Sequence, residues 1–189
     1  MIQNRPILLG SQSPRRSFLL EESGFRFRVE TIDVDESFDS ALEKEQVAAY
    51  ISQKKADAYK DLLQENEIGL VADTIVHLEN QILGKPKNKE EAMQMLSNMS
   101  GKQHDVYTGV TIFDDKKSLS FTGHSRVFFL ELTKEEIDYY IERCKPFDKA
   151  GSYGIQEWIG YVKIDKIEGS YTNIMGLPME LVYDQILKF

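Results

Sequence analysis

The segment Ser11-Gln-Ser-Pro-Arg-Arg16 joins two elements that the chain sets almost end to end. Before it, Ile7 to Gly10 read as a short buried strand. After it, Leu19 and Leu20 begin an apolar pattern with helical spacing. A strand that hands over to a helix across so few residues constrains the fold towards α/β. The handover also carries two adjacent permanent positive charges. Pro14 suits the first position of a helix over about 14–23, with Ser13 as its N-cap. The unpaired N–H groups and positive dipole end of a first turn favour anions and disfavour Arg15 and Arg16. Either the arginines are ordinary solvated charges, or something negative binds there.

The rest of the chain reads as further strands and helices. Residues 26–38 alternate like a strand and end in the acidic cluster Asp33, Asp35 and Glu36, and a helix over 43–66 carries Val47, Ile51, Ala58 and Leu62 at helical spacing. Residues 69–78 are strongly β-like, with a hairpin turn at Glu79-Asn80-Gln81. Asn88-Lys-Glu-Glu91 and Thr133-Lys-Glu-Glu136 have the capping-box pattern and predict helices to about 99 and to about Cys144. The span between them reads as long hairpin strands. A Gly-rich stretch follows at 148–156, then a strand near 161–167, the loop 168–178 and a final helix. There is no internal repeat, low-complexity tract or linker. The expectation is a mixed α/β (α+β) protein, a single domain over 1–189 with a central mixed sheet.

Composition removes several classes of function. A net charge of −8 argues against a general nucleic-acid binder, which needs an excess of Lys and Arg. A lone cysteine, Cys144, excludes an internal disulfide and a multi-cysteine metal site. No signal-peptide pattern is present, and no apolar run approaches the roughly 20 residues that span a bilayer. A soluble, cytoplasmic protein without a membrane partner is expected.

Asp73 stands out because it lies inside the apolar run Leu70-Val-Ala-Asp-Thr-Ile-Val76, where a carboxylate without a partner is costly to bury. A backbone-bonded Asp at a strand end or bulge is the alternative. Glu36 is either a solvated strand-end charge or a second carboxylate of the same site. Lys85 is fixed between Gly84 and Pro86; Lys55 lies on the predicted second helix. His77, His104 and His124 are too scattered for a His-based metal site. No P-loop or dinucleotide fingerprint occurs. Arg15, Arg16, Lys55 and Lys85 supply four positive charges. A nucleoside triphosphate carries about four negative ones, and Glu36 with Asp73 could hold Mg²⁺, which favours oxygen ligands and substrate phosphates. The charge count fits other polyanions equally.

The chain resembles the Maf family of nucleoside triphosphate pyrophosphatases over nearly its whole length. The resemblance rests on Ser11-Gln-Ser-Pro-Arg-Arg16, Ala72-Asp-Thr74, Gly84-Lys-Pro86, Leu96-Ser with Ser-Gly101, residues 148–156 and Gly176-Leu-Pro178, in that order. It implies a two-lobed fold similar to the inosine triphosphatase group, with flanking helices and the active site in a cleft. It also implies a hydrolase acting on acid anhydrides, which cuts between the α and β phosphates and releases pyrophosphate with the help of Mg²⁺ or Mn²⁺. Asp73 matches the family's proton acceptor; the residues themselves leave it as base, metal ligand or both, with Glu36 as the other candidate metal ligand. Ser11, Arg15, Arg16, Lys55, Thr74, Lys85 and Gln156 match its phosphate-contacting and specificity positions. Ala72-Asp-Thr74 with Ile155-Gln156 resembles the branch acting on dTTP and UTP, with modified pyrimidine nucleotides in the same class. A homodimer is expected at the family level. After Gln156 many members of the family it resembles have glycine, whereas this chain has Glu157 and Trp158. Trp158 is there either a base-stacking residue or a packed surface aromatic. Two other functions stand beside this one: a non-enzymatic nucleotide-binding regulator of cell division and septum formation, and a house-cleaning enzyme for modified purine triphosphates.

Overall fold

The computed structural model describes residues 5–189. Strand β1 (Ile7–Gly10) is buried along its length and runs parallel to β2 (Phe27–Glu30) on one side and β3 (Ile68–Leu78) on the other. Parallel neighbours need crossovers. Helix α1 (Pro14–Glu22) makes the first, and α2 (Lys44–Tyr59) lies on the path from β2 to β3. Strand β4 (Gln81–Leu83) pairs antiparallel with the end of β3 through the turn predicted at 79–81. After α3 (Lys89–Met99) come β5 (Gln103–Phe113), β6 (Ser118–Phe129) and α4 (Lys134–Cys144), then α5 (Trp158–Val162), β7 (Ile164–Gly169), α6 (Tyr171–Met175) and α7 (Met179–Ile186). Strand neighbours run β2-β1-β3-β5-β6-β7, with β7 antiparallel to β6. The mixed sheet with flanking helices is as expected. Among the described residues no helix is long and apolar enough to cross a membrane.

Contacts divide the chain into two compact units. The first holds the chain up to Asp73, Thr108–Gly123 and Gly176–Phe189; the second holds Thr74–Tyr107 and His124–Met175. In the first unit Leu8, Ala56, Tyr59, Val71 and Phe113 form a buried cluster, with Ile32, Val34 and Leu63 packed against it. Helix α2 approaches β5 so closely that a Cβ at Gly109 would lie 2.2 Å from the carbonyl carbon of Ala48. Only a glycine admits backbone at that distance. In the second unit His104, Phe129 and Tyr153 pack edge to face with ring centroids 5.0–5.3 Å apart, and His104 Nε2 lies 2.7 Å from Tyr153 Oη.

Several predicted boundaries move. The strand over 26–38 is four residues long, because its partner β1 is itself four residues long and offers no further ladder. Beyond Glu30 the chain leaves for α2 instead, where the Ile32 N–H donates to Tyr59 Oη at 3.0 Å and Lys54 reaches Asp35 at 3.1 Å. The helix over 43–66 ends at Tyr59, followed by a 3-10 turn over Lys60–Leu62. The strand near 161–167 starts at Ile164, since α5 takes the residues before it: the Gly160 and Tyr161 N–H groups donate to the Glu157 carbonyl at 2.9 and 3.2 Å. Helix α6 occupies part of the loop over 168–178. Both halves of the Thr133 capping box form. Asn88 accepts from the Glu91 N–H at 2.8 Å, but the Glu91 carboxylate turns to the Lys87 N–H. Ser13 is the N-cap residue of α1 without a side-chain cap bond; its own N–H donates to Ser11 Oγ at 3.1 Å.

Candidate functional site

Asp73 closes the first unit's stretch of β3, next to the buried cluster at Val71, and its carboxylate is only 13% exposed. Helix α2 projects Lys55 to it, with Nζ 2.7 Å from Asp73 Oδ1. The same ammonium lies 2.7 Å from Glu36 Oε1, on the irregular segment between β2 and α2. One lysine therefore holds two carboxylates that are 37 residues apart in sequence. Burial raises the Asp73 pKa above the ordinary carboxylate value, against the pull of Lys55 and Arg16 in the other direction. The charged form is thereby less secure than in water.

The opening segment supplies the rest of this cluster. Arg16 is buried; its Nε donates to the Gly176 carbonyl at 2.7 Å and its Nη1 to Ser11 Oγ at 3.1 Å. Burial lowers its pKa, while the Asp73 and Glu36 charges act to raise it. Arg15, one position earlier, is half-buried. Ser11, Arg15, Arg16, Glu36, Lys55 and Asp73 thus belong to one unit and one electrostatic neighbourhood. Arg16 is also a structural tie from α1 to the Gly176-Leu-Pro178 segment, a role that residue type alone did not signal. The Gly176 carbonyl that receives it was missed, because a backbone acceptor leaves no trace in the sequence.

The remaining candidates lie in the second unit. Thr74 is half-buried on β3, and Lys85 is exposed between β4 and α3. Gln156 is half-buried, but its Oε1 is fully buried with no hydrogen-bond partner. The Lys85 turn is tied to the loop that carries Gln156, since the Gly151 N–H donates to the Gly84 carbonyl at 3.1 Å. That loop holds Gly151 at φ +68° and Ser152 at φ +62°. The second of these is a conformation that a serine adopts only under constraint from its surroundings. Trp158 packs edge-on against Tyr139, with centroids 5.1 Å apart, as a packed surface aromatic does.

The donor set fits a divalent cation of the Mg²⁺ type. Glu36 and Asp73 present carboxylate oxygens that converge on a single positive group, and hard cations of this kind take one or two carboxylates and complete their shell with water and phosphate. Among the described residues no group of three or more His, Cys, Asp or Glu could enclose a metal without such a ligand.

A family model of Maf-like proteins matches residues 6–189. The chain belongs to the Maf-like family. This Maf-like chain is 47% identical over 186 residues to a Porphyromonas gingivalis protein named dTTP/UTP pyrophosphatase, covering 97% of this chain and 94% of that one. It is 46% identical over 183 residues to a Bacteroides thetaiotaomicron protein of the same name, covering 96% and 95%. Among solved structures it resembles the Staphylococcus aureus Ham1 protein, with a TM-score of 0.53 at 13% identity, over 96% of this chain and 98% of that one. At that identity the likeness is one of fold, and it agrees with the α/β architecture expected from the sequence.

Proposed function

We propose that this Maf-like chain hydrolyses dTTP and UTP to the nucleoside monophosphate and pyrophosphate. The observation that carries the reading is the buried Asp73 carboxylate, paired with Lys55 and set among Arg15, Arg16 and Glu36. The names borne by its near full-length relatives point to the same substrates.

In this mechanism a water attacks the α-phosphorus and the bridging oxygen to the β-phosphate leaves with pyrophosphate. Asp73 accepts the proton of that water, and a raised pKa brings a carboxylate nearer to the operating pH of a general base. Arg15, Arg16, Lys55 and Lys85 neutralise charge on the phosphates, with Ser11 beside Arg16, and that charge grows as pyrophosphate departs. Glu36 and Asp73 would hold a Mg²⁺ or Mn²⁺ ion, which supplies Lewis-acid stabilisation of phosphate oxygens when bound. Thr74 and Gln156 face the nucleoside. An amide presents one acceptor and one donor, which match the N3–H and O4 of uracil and thymine. The reading is compatible with a Gln156 Oε1 that no protein donor has claimed.

Family resemblance adds a cytoplasmic location, a homodimer and one functional domain over the whole chain to the same reading. The test is pyrophosphate release from a panel of dTTP, UTP, CTP, GTP and 7-methyl-GTP. Turnover fastest with dTTP and UTP supports the proposal. Preference for a purine, or nucleotide binding without turnover, overturns it.

A further inference from the structure

Gln156 is carried on a turn whose backbone is tied down on every side. On α4, the buried Tyr140 hydroxyl accepts from the Gly154 N–H at 2.9 Å and donates to Glu157 Oε2. The other oxygen of Glu157 lies 3.0 Å from the ammonium of Lys149, which is itself buried and also bonds Asp148 at 2.7 Å. The Glu157 N–H closes the turn onto the Gly154 carbonyl at 3.0 Å. The carbonyl of Gln156 itself accepts from Tyr161 Oη at 2.5 Å. A Cβ at Gly160 would lie 1.8 Å from the Ile155 carbonyl oxygen, so α5 is pressed against the same turn. The residues on both sides of Gln156 are held, its main chain is held, and its side-chain Oε1 is left unpaired.

Such an arrangement is expensive as a means of stability alone. A buried lysine–carboxylate pair returns little net free energy compared with apolar packing of the same volume, whereas it specifies one geometry strongly. Here it acts on the turn that carries the base-reading amide. The Glu157 carboxylate joins Tyr140 on one side of the turn to Lys149 on the other.

We propose that Tyr140, Glu157 and Lys149 are positioning residues for nucleobase selection, locking the Gly154–Glu157 turn so that the Gln156 amide meets a pyrimidine edge in one register. This rests on the proposed reading of Gln156 as the base-contacting residue. Orientation fixed before binding removes an ordering cost that a mobile turn would impose on every productive encounter.

The test compares kcat/KM for UTP and for GTP in Tyr140→Phe, Glu157→Gln and Gln156→Glu. Tyr140→Phe removes the hydroxyl that holds both Gly154 and Glu157. It is expected to lower the UTP-to-GTP ratio by about tenfold or more, since small misplacements of a contacting group cost up to about a hundredfold. Glu157→Gln keeps an acceptor for Tyr140 and loses the charge facing Lys149, so a smaller fall in the ratio is expected. Hydrogen exchange at the Gly154 amide is expected to be slow in the wild type and faster in Tyr140→Phe. A purely structural role would lower both substrates alike and leave the ratio unchanged. If Tyr140→Phe fails to fold, Glu157→Gln and Lys149→Met carry the same comparison. A changed ratio in Gln156→Glu with unchanged ratios in the folded network variants overturns the positioning role alone. An unchanged ratio in Gln156→Glu overturns the base-reading assignment, and this inference with it.

Discussion

Asp73 carries the proposed chemistry, and its surroundings separate activity from stability. Asp73→Asn keeps the shape of the side chain and removes both its charge and its basicity. A general base contributes roughly 10²–10⁴-fold, so pyrophosphate release from UTP should fall by that order. Stability should not fall with it. Burial raises the Asp73 pKa, so the folded state disfavours the carboxylate above that pKa, and a neutral amide escapes this penalty at pH 7. Lys55 retains Glu36 as a partner. A melting temperature equal to or above that of the wild type, with turnover lost, is the expected pair of results. Full turnover by the folded variant would remove Asp73 from the mechanism. His104 gives the complementary case in the second unit. Burial lowers its pKa from 6.5 to about 4. The unfolded chain therefore binds the proton first as pH falls, and the stability that the neutral imidazole carries above pH 6.5 is lost progressively down to about pH 4. The full difference corresponds to about 3 kcal/mol. Chemical denaturation at pH 7 and pH 4.5 should show a shallower loss for His104→Gln than for the wild type. Parallel slopes would mean that the imidazole titrates normally.

At the scale of elements, the first turn of α1 does two jobs that its paired arginines conceal. Arg16 fastens the helix to the Gly176 carbonyl and to Ser11; truncation leaves those acceptors without their donor in a buried place. Arg16→Ala should therefore cost about 1–3 kcal/mol of folding stability as well as activity. Arg15 is half-buried and Lys85 exposed, so Arg15→Ala and Lys85→Ala should lower kcat/KM for UTP while shifting the melting temperature little. Charge-assisted contacts to phosphate are worth roughly 1.5–3 kcal/mol each, or about 10- to 150-fold in kcat/KM. Denaturation curves beside steady-state kinetics on the three variants check the division. If Arg15→Ala and Lys85→Ala proved as destabilising as Arg16→Ala yet active, the phosphate assignment would move elsewhere. Helix α2 is set with similar economy: Gly109 admits its backbone against β5, and that close approach carries Lys55 to the two carboxylates.

For the whole molecule, a divalent ion is expected to matter to turnover and not to folding. Glu36 and Asp73 already share the Lys55 ammonium without a metal, and among the described residues no group of three or more His, Cys, Asp or Glu could take a metal as a structural staple. Chelation with EDTA should abolish pyrophosphate release while leaving the melting temperature unchanged, and added Mg²⁺ should restore activity in full. Unfolding on chelation would instead make the metal part of the fold. Bound UTP should stabilise the folded state by mass action, by about 2.7 kcal/mol at a hundredfold excess over Kd, read as a rise in melting temperature.

Local chemistry was legible in the chain itself. Ile7–Gly10, the Pro14 start of α1 and the Thr133 capping box each depend on neighbours a few residues away, so the backbone preferences written in those residues decide them. The apolar run around Asp73 marked a carboxylate that needed a partner, and ordered short motifs tied the chain to its family. Other features depended on what the chain meets after folding. The length of β2 was decided by β1, which offers four residues of ladder however long the alternation runs. That Lys55 reaches both Glu36 and Asp73 was decided by the packing of α2, since nothing in their spacing brings an irregular segment, a helix and a strand to one ammonium. The bond from Arg16 to the Gly176 carbonyl, and the hold of Tyr140 and Lys149 on Glu157, join residues up to 160 positions apart. Such contacts carry no local signal, because each exists only when burial removes water as the competing partner and leaves the protein to satisfy its own polar groups.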